Sequence, residues 1–341
     1  MAKVTAKAIA DYLNISPATV SMVFNNKPGI SCETRNRVLN AAQKLGYEYN
    51  MAGISQDKII QLIIYKRHGK VLSDTPFFEY LTKGVADKAQ SLGYQLCVSY
   101  FYGTESTAEQ LRSVTSIKSS GIVLLATEMC TSDMSIFESL NVPIVLLDSW
   151  FPDKMYDSVV IDNQRGAWYA TQYLIKQGHT RIGYLSSKVS IRNFAERRDG
   201  YFNAIGTIKV ENHHSEQRII KVGTTVETAF EAMSEYLAKD PVLPTAFFAD
   251  NDIIAAGCMR ALLKSGYRIP DDISIIGFDD MPICEILEPT LTTMAVPKEQ
   301  MGALTVERLH KKIVKEDCGE IIRISVFPEI VHRKSVKKIS G

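Results

Sequence analysis

Three short stretches with the apolar spacing of amphipathic helices occupy the first 50 residues. The first begins at Thr5. Ser16 is a favourable N-cap for the second, because its hydroxyl can accept a bond from a free backbone N–H, and Pro17 suits the first helical position, where no N–H is needed. Ser31 begins the third, where Glu33 complements the helix dipole. Two short helices joined by a tight turn, with a third to close the core, predict a helix-turn-helix.

From residue 59 onward, short apolar runs alternate with helical stretches. Near-continuous apolar runs of this length are typical of strands in a parallel sheet that is covered on both faces. The predicted strands are 59–65, 94–100, 121–126, 142–148, 158–162, 181–186, 218–223, 245–249 and 273–279. The predicted helices between them are 77–92, 105–118, 163–177, 194–205, 225–238 and 251–264. The alternation predicts an α/β core of two doubly wound lobes, in which ligands bind at the carboxyl ends of the strands.

The length and composition are those of an ordinary globular protein with two or three domains. The chain has 341 residues, of which 45% are hydrophobic and 23% are charged. Apolar runs such as 121–126 are too short to span a bilayer, and the polar residues Asp11 and Asn14 soon follow the basic start, unlike a signal peptide. The six cysteines are scattered without a CxxC pair, which favours buried thiols in a reducing compartment. We therefore expect a cytoplasmic protein with no membrane partner.

The near-neutral net charge of +1 conceals an asymmetry. Six basic and three acidic residues give residues 1–50 a charge of +3, whereas 33 basic and 35 acidic residues give the remainder a charge of −2. A small basic head on a slightly acidic body indicates that the head meets a polyanion.

The chain lacks the short motifs that are common in enzymes and metal sites, namely GxGxxG, GxxxxGK[ST], GxSxG and HExxH. The adjacent pair His213-His214 favours a solvated loop over a metal site, and Asp271-Asp272 reads as a turn. Asp279-Asp280 ends a predicted strand, where it is either a solvated turn or a ligand contact. The sequence therefore predicts neither an enzyme nor a cofactor or metal.

Seven segments carry a resemblance to a known family: "VTAKAIADYLNISPATVSMVFNNKPGISCETRNRVLNAAQKLGYEYN" (4–50), "TPFFEYLTKG" (75–84), "RRDGY" (197–201), "ADNDIIAAGCMRAL" (249–262), "IIGFDD" (275–280), "PTLTTMAVPKEQMG" (289–302) and "EIVHRKS" (329–335). In order and spacing they resemble the lactose-repressor (LacI/GalR) family of transcriptional regulators over nearly the whole chain. The resemblance implies a DNA-binding head, a hinge, and a core like the periplasmic sugar-binding proteins with a small effector between its lobes.

The family pattern also implies that the chain passes between the lobes three times, here near residues 162, 290 and 320. The expected divisions are a helix-turn-helix domain over 1–49, a hinge over 50–58, a first lobe over 59–161 plus 291–320, and a second lobe over 162–290 plus 321–341.

The resemblance also assigns DNA contacts in the head. Pro17, Ala18 and Met22 would face base edges in the major groove. Hydroxyl, amide or backbone contacts to phosphates would come from Thr5, Ser16, Thr19, Ser21, Asn25, Ser31 and Thr34. Small residues suit such a helix because they let its N-terminal N–H groups approach the phosphates. Met22 stands where many relatives have a basic residue, so it either contacts a thymine methyl group or packs along the groove wall.

Effector contacts are assigned in the same way to residues of the core: Asp148, Arg197, Asn251, Asp279, and Phe77 or Phe78 at the mouth of the first lobe. Two carboxylates, an amide and a guanidinium suit hydroxyl groups, which need acceptors and donors at once. Asp148 and Asp279 end predicted strands, whereas we expect Arg197 at the start of its helix. Val296 stands where the family often has glutamine, so one polar contact is missing and the identity of the effector stays open.

These features predict an effector-responsive repressor of carbohydrate-utilisation genes. We expect a homodimer on a palindromic operator, because one three-helix head reads too few bases for useful selectivity. A solute-binding protein for sugar transport is the alternative, since the core alone would fit it. The DNA-binding head and the absence of a signal peptide disfavour that alternative.

The linker to the first strand departs from the family pattern. Relatives usually have an alanine-arginine-x-leucine sequence that forms a hinge helix, whose leucine wedges into the minor groove. Here Gly53 disfavours a helix by about 1 kcal/mol relative to alanine, and the linker is shorter by about one helical turn, so a helix is marginal without packing. The hinge helix is therefore expected to be absent or reduced, with Met51 or Ile54 as the candidate wedge.

A reduced hinge should kink the operator less than a complete one does. The bend is measured by a circular-permutation gel-mobility assay. The reference is a family member with the full hinge pattern, bound to its own operator in the same DNA fragment. We expect this protein to bend its operator less than the reference does. An equal bend, or two full hinge helices in a structure of the complex, would contradict this prediction.

Overall fold

The chain divides into two compact units, residues 1–57 and residues 58–341. The computed structural model describes residues 5–24, 34, 37–38, 41–42, 45, 47, 58–72, 75–208, 219–316 and 319–339. Several residues and segments named above lie outside the described residues: Asn25, Ser31, Met51, Ile54, His213-His214 and the hinge segment 50–57.

The first unit begins with two helices where the sequence predicts them. α1 (Ala6–Leu13) is capped by Thr5, whose hydroxyl oxygen accepts a hydrogen bond from the N–H of Ala8 at 3.3 Å. Asn14 ends this helix with a left-handed φ of 54°, and α2 (Pro17–Phe24) follows after a short turn. Apolar side chains from both helices and from the helical residues 37–38 and 41–42 form the core: Ile9, Ala10, Val20, Val23, Val38, Ala41 and Ala42.

The second unit alternates strands with helices. Its strands are β1 (Ile59–Lys66), β2 (Gln95–Tyr102), β3 (Gly121–Leu125), β4 (Ile144–Leu147), β5 (Asp157–Ile161), β6 (Ile182–Ser187), β7 (Ile219–Val222), β8 (Ala246–Ala249), β9 (Ser274–Ile276), β10 (Thr293–Ala295), β11 (Arg323–Val326) and β12 (Glu329–Val331). Its α-helices are α3 (Phe77–Ser91), α4 (Thr107–Ser116), α5 (Asn163–Lys176), α6 (Arg192–Ile205), α7 (Val226–Leu237), α8 (Asp252–Lys264), α9 (Ile283–Ile286) and α10 (Lys298–Ile313), and a 3₁₀ helix spans Thr131–Ile136.

Two parallel sheets form the two lobes. The first has the strand order β2-β1-β3-β4-β5-β11, and the second has the order β7-β6-β8-β9. In the first sheet Leu62 of β1 lies between Val98 and Val123 on its neighbours, so apolar residues continue across the sheet. β10 and β12 form a small antiparallel pair. All the strands and helices predicted for the core are confirmed, with bounds within three residues.

The strand pairing moves two of the expected lobe boundaries. Thr292 pairs with Ile276, and Ala295 pairs with Asp279, so the chain stays with the second sheet beyond residue 290. β11 adds to the outer edge of β5 in the first sheet, so the boundary expected near residue 320 falls after residue 326. These short segments bind to exposed sheet edges through backbone hydrogen bonds. The pattern of apolar residues does not show which edge a segment will join. The pattern also failed to predict α10, which packs against α3 and the first sheet.

The burial of the thiols agrees only partly with the expectation from composition. Cys258 and Cys284 are buried, whereas Cys97 and Cys130 are only half-buried. Among the described residues, no helix has the length and apolar character needed to cross a bilayer.

α3 and α10 approach each other closely at two glycines. A Cβ atom on Gly84 would lie 2.0 Å from the backbone oxygen of Glu299, and one on Gly302 would lie 2.4 Å from the backbone oxygen of Leu81. No side chain fits in this space, so the two helices pack backbone against backbone and hold α10 on the first lobe.

Replacing Gly84 with alanine should therefore destabilise the core. Since the added methyl group meets backbone that cannot rotate away, we expect Gly84→Ala to lower the free energy of unfolding by about 1–3 kcal/mol, measured by denaturant or thermal unfolding. Gly206→Ala is the matched control, because the nearest atom to its Cβ is at 3.5 Å. The control should be neutral or slightly stabilising. Equal stabilities of the two variants would contradict the close helix contact.

Candidate DNA-binding surface and interlobe cleft

α2 presents one small, uncharged face to solvent. Pro17, Ala18 and Ser21 are exposed, and Met22 is half-buried beside them. Residues three and four apart share a face of a helix, so these side chains form one continuous surface opposite the buried Val20 and its neighbours in the core. The structure thus groups the residues proposed for base contacts.

Several polar candidates of the head lie at or near helix N-termini. Ser16 caps α2, since its hydroxyl oxygen accepts a bond from the N–H of Thr19 at 3.0 Å and lies 2.8 Å from the Thr19 hydroxyl. Thr5 caps α1 in the same way, and Thr34 is a half-buried helical residue. The hydroxyls of Thr5 and Ser16 therefore lie at the two helix N-termini, where the free N–H groups favour phosphate oxygens.

In the second unit, the six candidate effector residues line one cavity between the lobes, which we call the inner cavity: Phe77, Phe78, Asp148, Arg197, Asn251 and Asp279. The cavity has a volume of about 20 Å³, which is room for about one water molecule. The first three residues come from the first lobe and the others from the second. The cavity is therefore closed in this structure.

Arg197 is the most fully engaged of these residues. Its Nε donates to the side-chain oxygen of Asn163 at 2.9 Å, one amino group donates to the backbone oxygen of Asp250, and the other pairs with Asp279 at 2.9 Å. The guanidinium also lies 3.8 Å from the centre of the Phe278 ring. Arg197 lies in the second turn of α6 rather than at its start, because the helix begins at Arg192.

Asp148 joins the two lobes. It follows β4 of the first lobe, and its carboxylate accepts hydrogen bonds from Thr127 at 2.6 Å and from Asn193 on α6 at 3.0 Å. Complete burial raises the pKa of Asp148 from its ordinary value of 3.8 to about 7. Its φ of 63° is left-handed, a conformation that aspartate adopts more readily than most residues.

Asp279 and Asn251 lie at the carboxyl edge of the second sheet. Asp279 has a φ of 104°, outside the ordinary regions, and its backbone oxygen accepts a bond from Lys298. Burial also raises the pKa of its carboxyl group. The side-chain oxygen of Asn251 caps α8 by accepting a bond from the N–H of Ile254 at 2.9 Å. Strained backbone of this kind persists only where its surroundings enforce it, as at ligand sites.

Two further carboxylates stand behind the cavity, and sequence reasoning missed them. Asp250 accepts bonds from Tyr184 and from the N–H of Ser187, and burial raises its pKa to about 6. Asp252 accepts a bond from Thr293 at 2.6 Å, and burial raises its pKa to about 7. Asp250 directly follows a predicted strand, so the rule that marked Asp279 as a possible ligand contact could have found it, whereas Asp252 lies at the start of α8.

A tryptophan bridges the lobes outside the cavity. Trp150 of the first lobe donates its indole N–H to Glu196 on α6 at 2.9 Å. Its ring lies between two guanidinium groups, those of Arg192 at 4.4 Å and Arg323 at 4.1 Å. Among the described residues, no group of three or more histidine, cysteine or acidic side chains is placed to hold a metal ion. Polar and cation–π contacts of Trp150 thus join the lobes outside the cavity.

Comparison with known proteins agrees with this arrangement. Residues 5–50 match the model of bacterial regulatory proteins of the lacI family, and residues 171–336 match a periplasmic binding protein-like domain. The probable HTH-type transcriptional repressor ExuR of Bacillus subtilis is 30% identical over 99% of both chains. The chain belongs to the LacI family. It is a DNA-binding transcriptional repressor with a ligand-binding core, not an enzyme.

Other relatives and solved structures share the whole length of this LacI-family chain. The HTH-type transcriptional repressor PurR of Mannheimia succiniciproducens is 29% identical over 98% of this chain and 99% of its own. The structure of the transcriptional regulator CelR in complex with cellobiose superposes with a TM-score of 0.72 at 26% identity, covering 98% of this chain and all of that one.

The buried carboxyl group of Asp148 should make the stability of the core depend on pH. Because its pKa is higher in the folded than in the unfolded state, the folded state binds more protons between pH 4 and 7, and stability falls as pH rises through this range. We expect Asp148→Asn to remove this contribution, on the order of 4 kcal/mol at most. The melting temperature of the variant should change less than that of the wild type between pH 5 and 7.5.

Asp199→Asn is the control for this measurement, since Asp199 is exposed on the same helix as Asn193. It should retain the wild-type pH dependence. A wild-type core that becomes more stable from pH 5 to 7.5, or an Asp148→Asn variant with an unchanged slope, would contradict the prediction.

Proposed function

We propose that this LacI-family protein represses carbohydrate-utilisation genes as a homodimer on a palindromic operator, and that a small sugar-like effector in the interlobe cleft controls its DNA binding. The observation that carries the proposal is the convergence of Asp148, Arg197, Asn251 and Asp279, from both lobes, on one cavity.

The surface of α2 supports the DNA-binding part of the proposal. Its exposed residues are small and uncharged, so the helix backbone can approach the groove closely while the capped helix ends meet the phosphates. Met22 on this face offers only apolar contact to a base edge. One such head covers one half-site, and a dimer supplies the second.

The chemistry of the cavity supports a ligand rich in hydroxyl groups. Asp148 and Asp279 are acceptors, and Arg197 is a rigid donor, which together match the mixed donor and acceptor character of hydroxyls. The similar CelR structure holds cellobiose, a ligand of this class. A solute-binding protein for transport would use the same core, but the lacI-family match over residues 5–50 opposes that function.

The closed cavity suggests how the effector acts. The polar side chains now bond to one another, and about 20 Å³ is open, which is far below the usual volume of a ligand site. A sugar must therefore replace the bond between Asp148 and Asn193 that links the lobes. Since ligand binding is linked to lobe separation, it shifts the core between conformations, and each conformation sets the placement of the heads in a dimer.

The proposal is tested by gel-shift measurements on DNA from upstream of the gene's own operon. We expect tight binding to a palindromic fragment, much weaker binding to a single half-site, and a change in affinity when the sugar that stabilises the protein thermally is added. The variant Asp279→Asn should keep operator affinity while its affinity for that sugar falls about 10- to 100-fold, because a charge-assisted hydrogen bond is lost.

Asp280→Asn is the matched control, because the neighbouring Asp280 pairs with Arg333 at 2.8 Å and does not line the cavity. It should respond to the sugar like the wild type. Arg197→Ala is less suitable, since it would leave buried partners of Arg197 unpaired and lower stability. Unchanged sugar affinity in Asp279→Asn, measured by calorimetry, would refute the placement of the effector.

A further inference from the structure

A second chamber adjoins the inner cavity and has the volume that the inner cavity lacks. We call it the outer chamber; it is lined from the segments 67–70, 128–131 and 189–192, with Phe151. The outer chamber has a volume of about 500 Å³, which lies within the usual range for ligand sites. Ile191 lines both spaces, so they are neighbouring compartments of one interlobe cleft.

The outer chamber is basic. Arg67, His68, Lys70 and Arg192 line it, against the single acidic residue Glu128. Lys70 is exposed, and no carboxylate of the described residues lies within ion-pair distance of it. Arg67 pairs with Asp133 at 3.5 Å and donates to the sulfur of Cys130, and Arg192 pairs with Glu196 at 3.7 Å and lies over the Trp150 ring. Lys70 is therefore the cation that is available to a ligand, and the two arginines add positive charge beside it.

The carboxylate of Glu128 is held mainly by backbone N–H groups rather than by Lys70 or the arginines of the lining. It accepts hydrogen bonds from the backbone N–H groups of His68, Gly69, Val71 and Leu72 at 2.8–3.3 Å. It also lies 3.2 Å from the His68 ring, and its side chain is fully buried. Glu128 thus folds the segment that carries Lys70 and leaves the cations facing the chamber.

The start of α6 adds a second attraction for anions. Residues 190–192 line the chamber, no side chain caps this helix at Ile191, and its first turn holds no acidic residue. The positive end of the helix dipole is therefore presented to the chamber beside Arg192.

The inner cavity has the opposite character. Its lining includes Asp148 and Asp279, and Asp250 and Asp252 stand behind them, against the cations Arg197 and Lys298. A carboxylate or phosphate placed there would meet like charges at low dielectric, which costs free energy. Hydroxyl groups donate to such acceptors without that cost.

We propose that the outer chamber binds the acidic group of the effector, which is therefore a sugar acid or a phosphorylated sugar with its hydroxyls toward the inner cavity. This inference rests on the proposed function. The opposite polarity of the two compartments orients such a ligand and makes it bridge the lobes through Asp148 and Asp279 on one side and Lys70 and Arg192 on the other.

The inference is tested by calorimetric titration of the full chain with matched sugars. The probes are glucose, glucuronate and glucose 6-phosphate, the corresponding galactose series, and inorganic phosphate alone. We expect at least one acidic member to bind at least tenfold tighter than its neutral parent. Lys70→Glu should reduce this ratio at least tenfold, whereas Lys239→Glu, an exposed control beyond α7, should leave it unchanged.

The failures of the two proposals are distinguishable. Neutral and acidic sugars that bind equally, with both affinities lost in Asp279→Asn, would overturn this inference and leave the proposed function standing. No binding by any sugar of the panel would overturn the sugar effector and this inference with it. Inorganic phosphate that binds without competing with a phosphorylated sugar would mark a separate anion site and also overturn the inference.

Discussion

The buried guanidinium of Arg197 is the contact on which the arrangement of the cleft depends. A charged group taken out of water costs several kcal/mol unless every donor is paired. Each nitrogen of the Arg197 guanidinium donates one bond, to Asn163, Asp250 and Asp279, which lie just beyond β5, β8 and β9. One side chain of α6 therefore positions three strand ends, and the cavity they enclose takes its shape from that geometry.

Other polar side chains join the two lobes beside Arg197. The lobes are joined by few polar contacts across the cavity, chiefly Asp148 to Asn193 and Trp150 to Glu196. Each of these exchanges readily with a ligand hydroxyl, because a net hydrogen bond contributes only about 1 kcal/mol. Apolar side chains add to these contacts, because one buried cluster includes residues of both lobes and reaches the inner cavity through Phe77, Phe78 and Phe194.

Sequence reasoning found part of the cleft for a definite reason. The resemblance to the LacI family assigned Asp148, Asn251 and Asp279 to the cleft. Asp148 and Asp279 also end apolar strands, and parallel strands present their carboxyl ends at one edge of a sheet. The contact of Asn193 with Asp148 could not be predicted from the sequence, because it forms only when α6 of the second lobe meets the first lobe. The basic outer chamber could not be predicted for the same reason. Lys70 and Arg192 are far apart along the chain and line one chamber only because the two lobes face each other.

What the sequence determined by itself was local: where helices and strands occur, which faces are apolar, and how the head is capped by Thr5 and Ser16. These follow from side-chain periodicity and from backbone donors near a hydroxyl, which act over a few residues. The tertiary structure alone decided where β10 and β11 pair and which charges face one another between the lobes. Those outcomes depend on competition among sheet edges and on burial, and both arise only when distant segments come together.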